Sequence, residues 1–238
     1  MTAPELIAAL VAVLVGASVQ GALGFGAGLV SIPLLLLIDP RFVPGPVVIV
    51  GLVMNLLALG ADAHHADWRG ARWAIAGLVP GTIAASFALS AFTGASMTVA
   101  SAAAVLVAVA VSAAGLRPQA RRRTMVGAGF FSGYLGGTAG IGGPPLALAY
   151  QGAPVRTLRA TLPAIFVAGG ALTLVALART DHLSSLDWRL GLVLAPASVL
   201  GYQVTRRLTA GIEGDGLRQA VLVVSAISAL AAIARVVV

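Results

Sequence analysis

The chain has 238 residues, 59% hydrophobic and 10% charged, with a mean hydropathy of +0.99, so its polar residues are too few to cover a water-soluble globule and it belongs in a bilayer. Its net charge of +7 comes from fifteen basic residues, all arginine, against eight acids; the arginines lie at or near the ends of apolar segments, where they read as topology determinants rather than a nucleic-acid surface. The lack of cysteine excludes disulfides, thiolate chemistry and sulfur-ligated metal.

The first five residues, Met1 to Glu5, carry no basic run, so the apolar stretch behind them is expected to stay in the mature protein rather than leave as a signal peptide. From Leu6 to Ile38 the chain is apolar throughout. That length exceeds one ordinary spanning helix, yet falls short of two full crossings and a turn. The glycines between Gly21 and Gly28 divide it, which predicts two helical arms, Pro4 to Gln20 and Gly28 to Ile38, folded into a hairpin that partly penetrates the membrane. Unpaired backbone at such a break costs several kcal/mol per group in lipid, so the break must be buried in protein or line an aqueous cavity.

Asp39-Pro-Arg41 turns the chain into the next segment. Stretches free of charge at Pro44–Ala61, Ala74–Thr98, Val99–Leu116, Ala160–Ala178, Leu190–Thr205 and Gln219–Ala234 predict six spanning helices. A polar loop, Asp62 to Gly70, follows the first of them, and a turn is expected near Thr93 to Ser96. The basic run Arg117 to Arg123 is expected in the cytoplasm. It links two membrane repeats, 1–116 and 124–238, with 117–123 as the linker.

The repeats share a motif. Gln20-Gly-Ala-Leu-Gly-Phe-Gly-Ala-Gly-Leu-Val-Ser-Ile-Pro33 aligns without gaps on Ser132-Gly-Tyr-Leu-Gly-Gly-Thr-Ala-Gly-Ile-Gly-Gly-Pro-Pro145, matching Gly21 with Gly133, Gly24 with Gly136, Gly28 with Gly140 and Pro33 with Pro145. Asp67-Trp-Arg69 likewise matches Asp187-Trp-Arg189. Paired glycine-rich breaks in two halves point to a transporter's binding site. If both broken segments return to the side they entered, Arg69, Arg72, Arg117, Arg121, Arg122, Arg123, Arg156, Arg159, Arg206, Arg207 and Arg218 fall on one side; single crossings scatter them. The positive-inside rule favours the hairpins. A hairpin plus three spanning helices makes an odd number of crossings, so the expected fold is an all-α polytopic membrane protein of two inverted repeats, both termini outside. An eight-helix parallel duplication is the alternative.

With a Gly-x-Leu-Gly-x-Gly-x-Gly pattern and a following proline at Gly21 to Pro33, its counterpart at Gly133 to Pro145, the duplicated layout and this size, the chain resembles the sulfite exporter TauE/SafE family of permeases along its whole length. The resemblance implies a multi-pass cytoplasmic-membrane transporter of small anions, often sulfur-containing ones such as sulfite, sulfoacetate or thiosulfate. Phe25 and Ala27 stand among the first copy's glycines and Thr138 among the second's.

The return arms start at the breaks, so their N-termini offer unpaired N–H groups and about half a positive charge, which suits an anion. Gly24, Gly26, Gly28, Gly136, Gly137, Gly140, Gly142 and Gly143 let backbone approach a ligand. Ser31, Ser132 and Thr138 are candidate hydroxyl donors, and Asn55 is the preferred amide contact among Asn55, Gln20, Gln151 and Gln203. Gly21, Pro33, Gly133, Pro144 and Pro145 set the breaks themselves, the paired prolines fitting a first helical turn. No charge sits centrally in a predicted span, so neutral donors and dipoles must hold the anion unless Arg156 or Arg159 reaches inward. Tight helix packing is the competing role for these glycines. His64, His65 and His182 read as loop residues, and no metal or cofactor is expected.

A secondary transporter for a small anion is the leading function, with the bilayer as its surroundings and no nucleic-acid partner. A passive anion channel could use the same lining. An intramembrane enzyme lacks any convergent acid–base pair, metal cluster or activated nucleophile, and a purely structural subunit would tolerate loss of the glycines.

Overall fold

In the computed structural model the apolar run from Leu6 to Ile38 forms two antiparallel helices, α1 (Ala3–Leu23) and α2 (Ala27–Ile38). The structure describes residues 2–90, 95–114, 121–150, 153–208 and 215–237. Gly24 ends α1 at φ 84°, its N–H donating to the Gln20 carbonyl at 2.7 Å, and Gly26 precedes α2 at φ 104°. Residues with a Cβ disfavour that left-handed region, so glycine spacing dictates the break. The Ser31 hydroxyl donates to the Ala12 carbonyl at 3.2 Å, holding α2 back along α1. The first arm is longer than expected. Its 21 residues span about 31 Å, enough to cross the hydrocarbon rather than enter it partway.

After a short 3₁₀ turn, Pro40–Phe42, come α3 (Gly45–Asp62), α4 (Trp68–Ser90) and α5 (Ala95–Ala113). Asp39 accepts the Arg41 backbone N–H at 2.9 Å and pairs with the Arg41 guanidinium, which holds the Asp39 carboxyl below its ordinary pKa. The second half supplies α6 (Arg122–Ala139), α7 (Gly143–Ala149), α8 (Val155–Arg179), α9 (Ser185–Leu208) and α10 (Asp215–Val237). These ten helices, without strands, make up the regular structure of the described residues apart from two 3₁₀ turns. The span expected at Ala74 to Thr98 is corrected. Its helix starts six residues earlier, where Asp67 caps it by accepting the Gly70 N–H at 2.9 Å, and ends at Ser90, leaving Thr98 to α5. Thr93 and Gly94, Arg117 to Ala120 and Gln151 lie outside the described residues.

Glycines fasten the helices together. Gly77 and Gly81 of α4 meet Gly129 and Gly133 of α6 in a parallel pair so close that a Cβ on Gly77, Gly81 or Gly129 would overlap the carbonyl of Val126, Phe130 or Ala74. Small residues four apart allow such backbone approach in membranes. The pair α1 and α9 repeats it, also in parallel: Gly21 lies against the backbone of Tyr202 and Arg206, and Gly201 against Leu14. Helix α3 runs parallel to α9, with Gly45 beside Asp187 and Gly191 beside Ile49. α8 runs parallel to α4, with the Asp67 N–H donating to Thr161 Oγ1 at 2.9 Å and Gly169 beside Leu78. α3 and α8 are antiparallel, Gly170 lying beside Leu52 and Leu174 clustering with Val48 and Ile49.

The second break falls one helical turn later than the sequence alignment places it. α6 continues through Gly136 to Ala139, and Gly140 takes the left-handed cap at φ 76°. Gly-Pro-Pro fits only the first turn of a helix, so α7 cannot start before Gly143. The Tyr150 hydroxyl, just past α7, donates to Asp67 Oδ2 at 3.1 Å. Since α4 and α6 run in parallel, α7 returns to the end from which α6 started. α2 does the same for α1, because Gly45 sits beside Asp187 at the start of α9.

The exterior is apolar. Ile7, Val11, Phe87, Phe131, Leu192, Leu200 and Ile227 all point outward, as side chains do that meet lipid. Among the described residues, Ala3–Leu23 and Arg156–Arg179 are each long and apolar enough to cross a bilayer alone.

Candidate functional site

The two breaks touch. Gly28 approaches the Gly140 carbonyl, and Gly143 approaches the Gly26 backbone nitrogen, where added Cβ atoms would stand 3.1 and 3.9 Å away. Beside this contact lies a cavity of about 130 Å³, walled by α1, α2, α3 and α4 from the first half and α6, α7, α8 and α9 from the second. Seating one water takes about 10–15 Å³ of comparable space, so a small polyatomic solute fits.

Its chemistry is neutral. No charged side chain lines it among the described residues. Gln20 and Asn55, each 5% exposed, form an amide pair on the wall, with Gln20 Nε2 donating to Asn55 Oδ1 at 3.1 Å and Asn55 Nδ2 to the Gly51 carbonyl at 2.7 Å. Each amide has a second N–H left for another acceptor. The first turn of α2 also reaches the wall through Ala27, Gly28 and Leu29, whose N–H groups have no partner four residues back within the helix. α7 contributes less, because Pro144 and Pro145 carry no N–H and leave only that of Gly143.

A family description, sulfite exporter TauE/SafE, matches residues 8–232. The chain belongs to the sulfite exporter TauE/SafE family. No curated protein and no solved structure matches it. Membership makes the chain a membrane transport protein that handles sulfur anions, not an enzyme.

Of the positions expected to contact a ligand in this TauE/SafE chain, Gly26, Gly28, Ser31, Asn55, Gly136, Gly140, Gly142 and Gly143 border the cavity, as do Gly133 and Pro144. Gly24, Gly137 and Thr138 do not. Gly24 packs on Leu158 and Arg159, and Gly137 faces Ala85 of α4, so both serve helix packing. Gly21 is also a packing position, against α9, while Pro33 lies inside α2 and Pro145 in the first turn of α7. The hydroxyls expected as donors are already committed: Ser31 to Ala12, Ser132 to the Gly142 carbonyl at 2.6 Å and Thr138 to the Tyr134 carbonyl at 2.8 Å. Each offers a ligand only lone pairs unless that bond breaks.

Arg159 does reach inward, its guanidinium donating to the Ala22 carbonyl at the end of α1. There it meets the negative end of a helix rather than the cavity. Arg156 stays at the surface with His65, 3.4 Å away. His65 follows α3 and His182 follows α8, at opposite ends of two antiparallel helices, and the described residues hold no cluster suited to a metal. Sequence reasoning missed Thr82, Thr173 and Ser198 on the wall and the glycines Gly51, Gly169 and Gly170 that border it. The Gly169-Gly170 doublet within an apolar helix was the available signal.

Proposed function

We propose that this TauE/SafE chain is a secondary transporter in the cytoplasmic membrane that carries a small sulfur oxyanion or organosulfonate, such as sulfite, and binds it in the cavity between the two glycine breaks. The observation that carries the reading is the meeting of the breaks beside a cavity lined by the first turn of α2. The N–H groups of that turn, the Gln20–Asn55 pair and the helix dipole compensate a negative charge without a basic residue.

The halves 1–116 and 124–238 act as inverted repeats. Support comes from reciprocal packing: α1 runs with α9 as α6 runs with α4, α2 flanks α10 as α7 flanks α5, and the corresponding α3 and α8 are antiparallel. Opening the cavity to one side and then the other follows from exchanging the conformations of two such halves. The cavity adjoins helix pairs locked by glycine, so the movement falls to whole bundles.

Counterflow in proteoliposomes tests this. Labelled sulfite uptake should saturate and accelerate when unlabelled anion is loaded inside, a response a passive channel does not give. Gly51→Leu should abolish it, because a Cβ at Gly51 meets nothing within 4 Å and a leucine there projects into the cavity. Unaltered counterflow in a folded Gly51→Leu protein would remove the site.

A further inference from the structure

We propose that Thr82 of α4 binds the substrate, supplying the hydroxyl donor that the breaks themselves lack; this rests on the cavity being the anion site. Thr82 lines the cavity at 3% exposure, and its Oγ1 has no hydrogen-bond partner in the protein. A buried hydroxyl left unsatisfied is destabilising, and native proteins retain few of them. The neighbouring hydroxyls show how readily one is satisfied. Ser31, Ser132 and Ser198, all on the same wall, each donate to a backbone carbonyl, and in Ser198 that carbonyl belongs to Ala195 of its own helix.

Thr82 stands in α4 with that kind of local acceptor within reach of its side chain, yet it does not use one. Its methyl lies toward Gly137 of α6, 3.9 Å from where a Cβ on that glycine would stand. The cavity is therefore the remaining source of a partner. Together, Thr82 Oγ1–H, the spare amide hydrogens of Gln20 and Asn55 and the first-turn N–H groups of α2 form an uncharged set of donors drawn from four helices. Such a set matches the oxygens of a sulfonate or hydrogensulfite head group, which accept from several directions at once.

The test is methanesulfonate binding to the purified full chain by calorimetry, with thermal unfolding of the ligand-free protein. Thr82→Val replaces the hydroxyl by a methyl of similar size. It should weaken binding by about ten- to a hundred-fold, the loss of one hydrogen bond to a charged group, while the unfolding midpoint stays level or rises. Thr82→Ser should restore binding. Ser101 of α5 is the control, a fully buried hydroxyl that also lacks a partner but lies away from the cavity, and Ser101→Ala should bind as the parent does. If Thr82→Val binds normally while Gly51→Leu does not, the role of Thr82 falls and the cavity reading stands. If Gly51→Leu also binds normally, both fall. A lowered midpoint in Thr82→Val with no rescue by Thr82→Ser would make Thr82 structural and overturn the proposal.

Discussion

A Cβ on Gly28 would lie 3.1 Å from the carbonyl oxygen of Gly140, so the two glycine breaks, 112 residues apart in the chain, meet backbone to backbone. Each belongs to a different half. The cavity opens beside this contact.

Substitution at Gly140 should damage the fold before it reports on transport. Its φ of 76° penalises any L side chain, and a Cβ would stand 3.1 Å from Ile32 and 3.2 Å from Val47. Gly140→Ala should destabilise by about 1–2 kcal/mol from backbone strain alone, seen as a lower unfolding midpoint in detergent. Gly136→Ala and Gly143→Ala meet only ordinary contacts, at 3.6 Å or more. They should keep the parent midpoint and change anion affinity instead.

The α4–α6 seam should be the least tolerant packing surface. A Cβ on Gly81 would run into the Phe130 carbonyl, and backbone cannot yield as a flexible side chain can. Gly81→Ala should cost about 1–3 kcal/mol, measured by thermal or denaturant unfolding. The same change at Gly127, which has nothing within 4 Å, should be neutral or slightly stabilising.

Charge selectivity follows from the neutral wall. Burying an ion costs energy that grows with the square of its charge, and one helix N-terminus offers roughly half a unit of compensation. Methanesulfonate should therefore compete with labelled substrate at least about ten-fold better than sulfate, a gap of about 1.4 kcal/mol. Asn55→Asp keeps the acceptor for Gln20 but adds a negative charge and removes a donor. It should weaken anion binding by at least about ten-fold, since a like charge at close range costs several kcal/mol.

Much of this was legible in the sequence. The break at Gly24 to Gly26, the return of α2, the six further helices and the second break all follow from glycine spacing and apolar length. Less legible was the split between packing and lining roles. Gly137 and Gly140 look alike in the motif, but Ala85 occupies the space beside one and the other borders the cavity. The one-turn delay of the second break depends on Pro144 and Pro145 outweighing the alignment. Thr82 was invisible because only tertiary packing decides whether a helical hydroxyl finds its local carbonyl.

The absence of cysteine gives a clean background for topology. His64 follows α3 and His182 follows α8, so single cysteines at these two positions should react with an impermeant maleimide from opposite sides of the membrane, His64→Cys from the cytoplasm. Labelling of both from one side would favour the parallel eight-helix duplication.

An anion held between the breaks can be located through selenium. Crystals grown with selenite, the selenium counterpart of sulfite and an anomalous scatterer, should show one strong anomalous peak in the cavity beside Gly28 and Gly140, within hydrogen-bonding reach of the first turn of α2. A peak elsewhere in the molecule with the cavity empty would contradict the account.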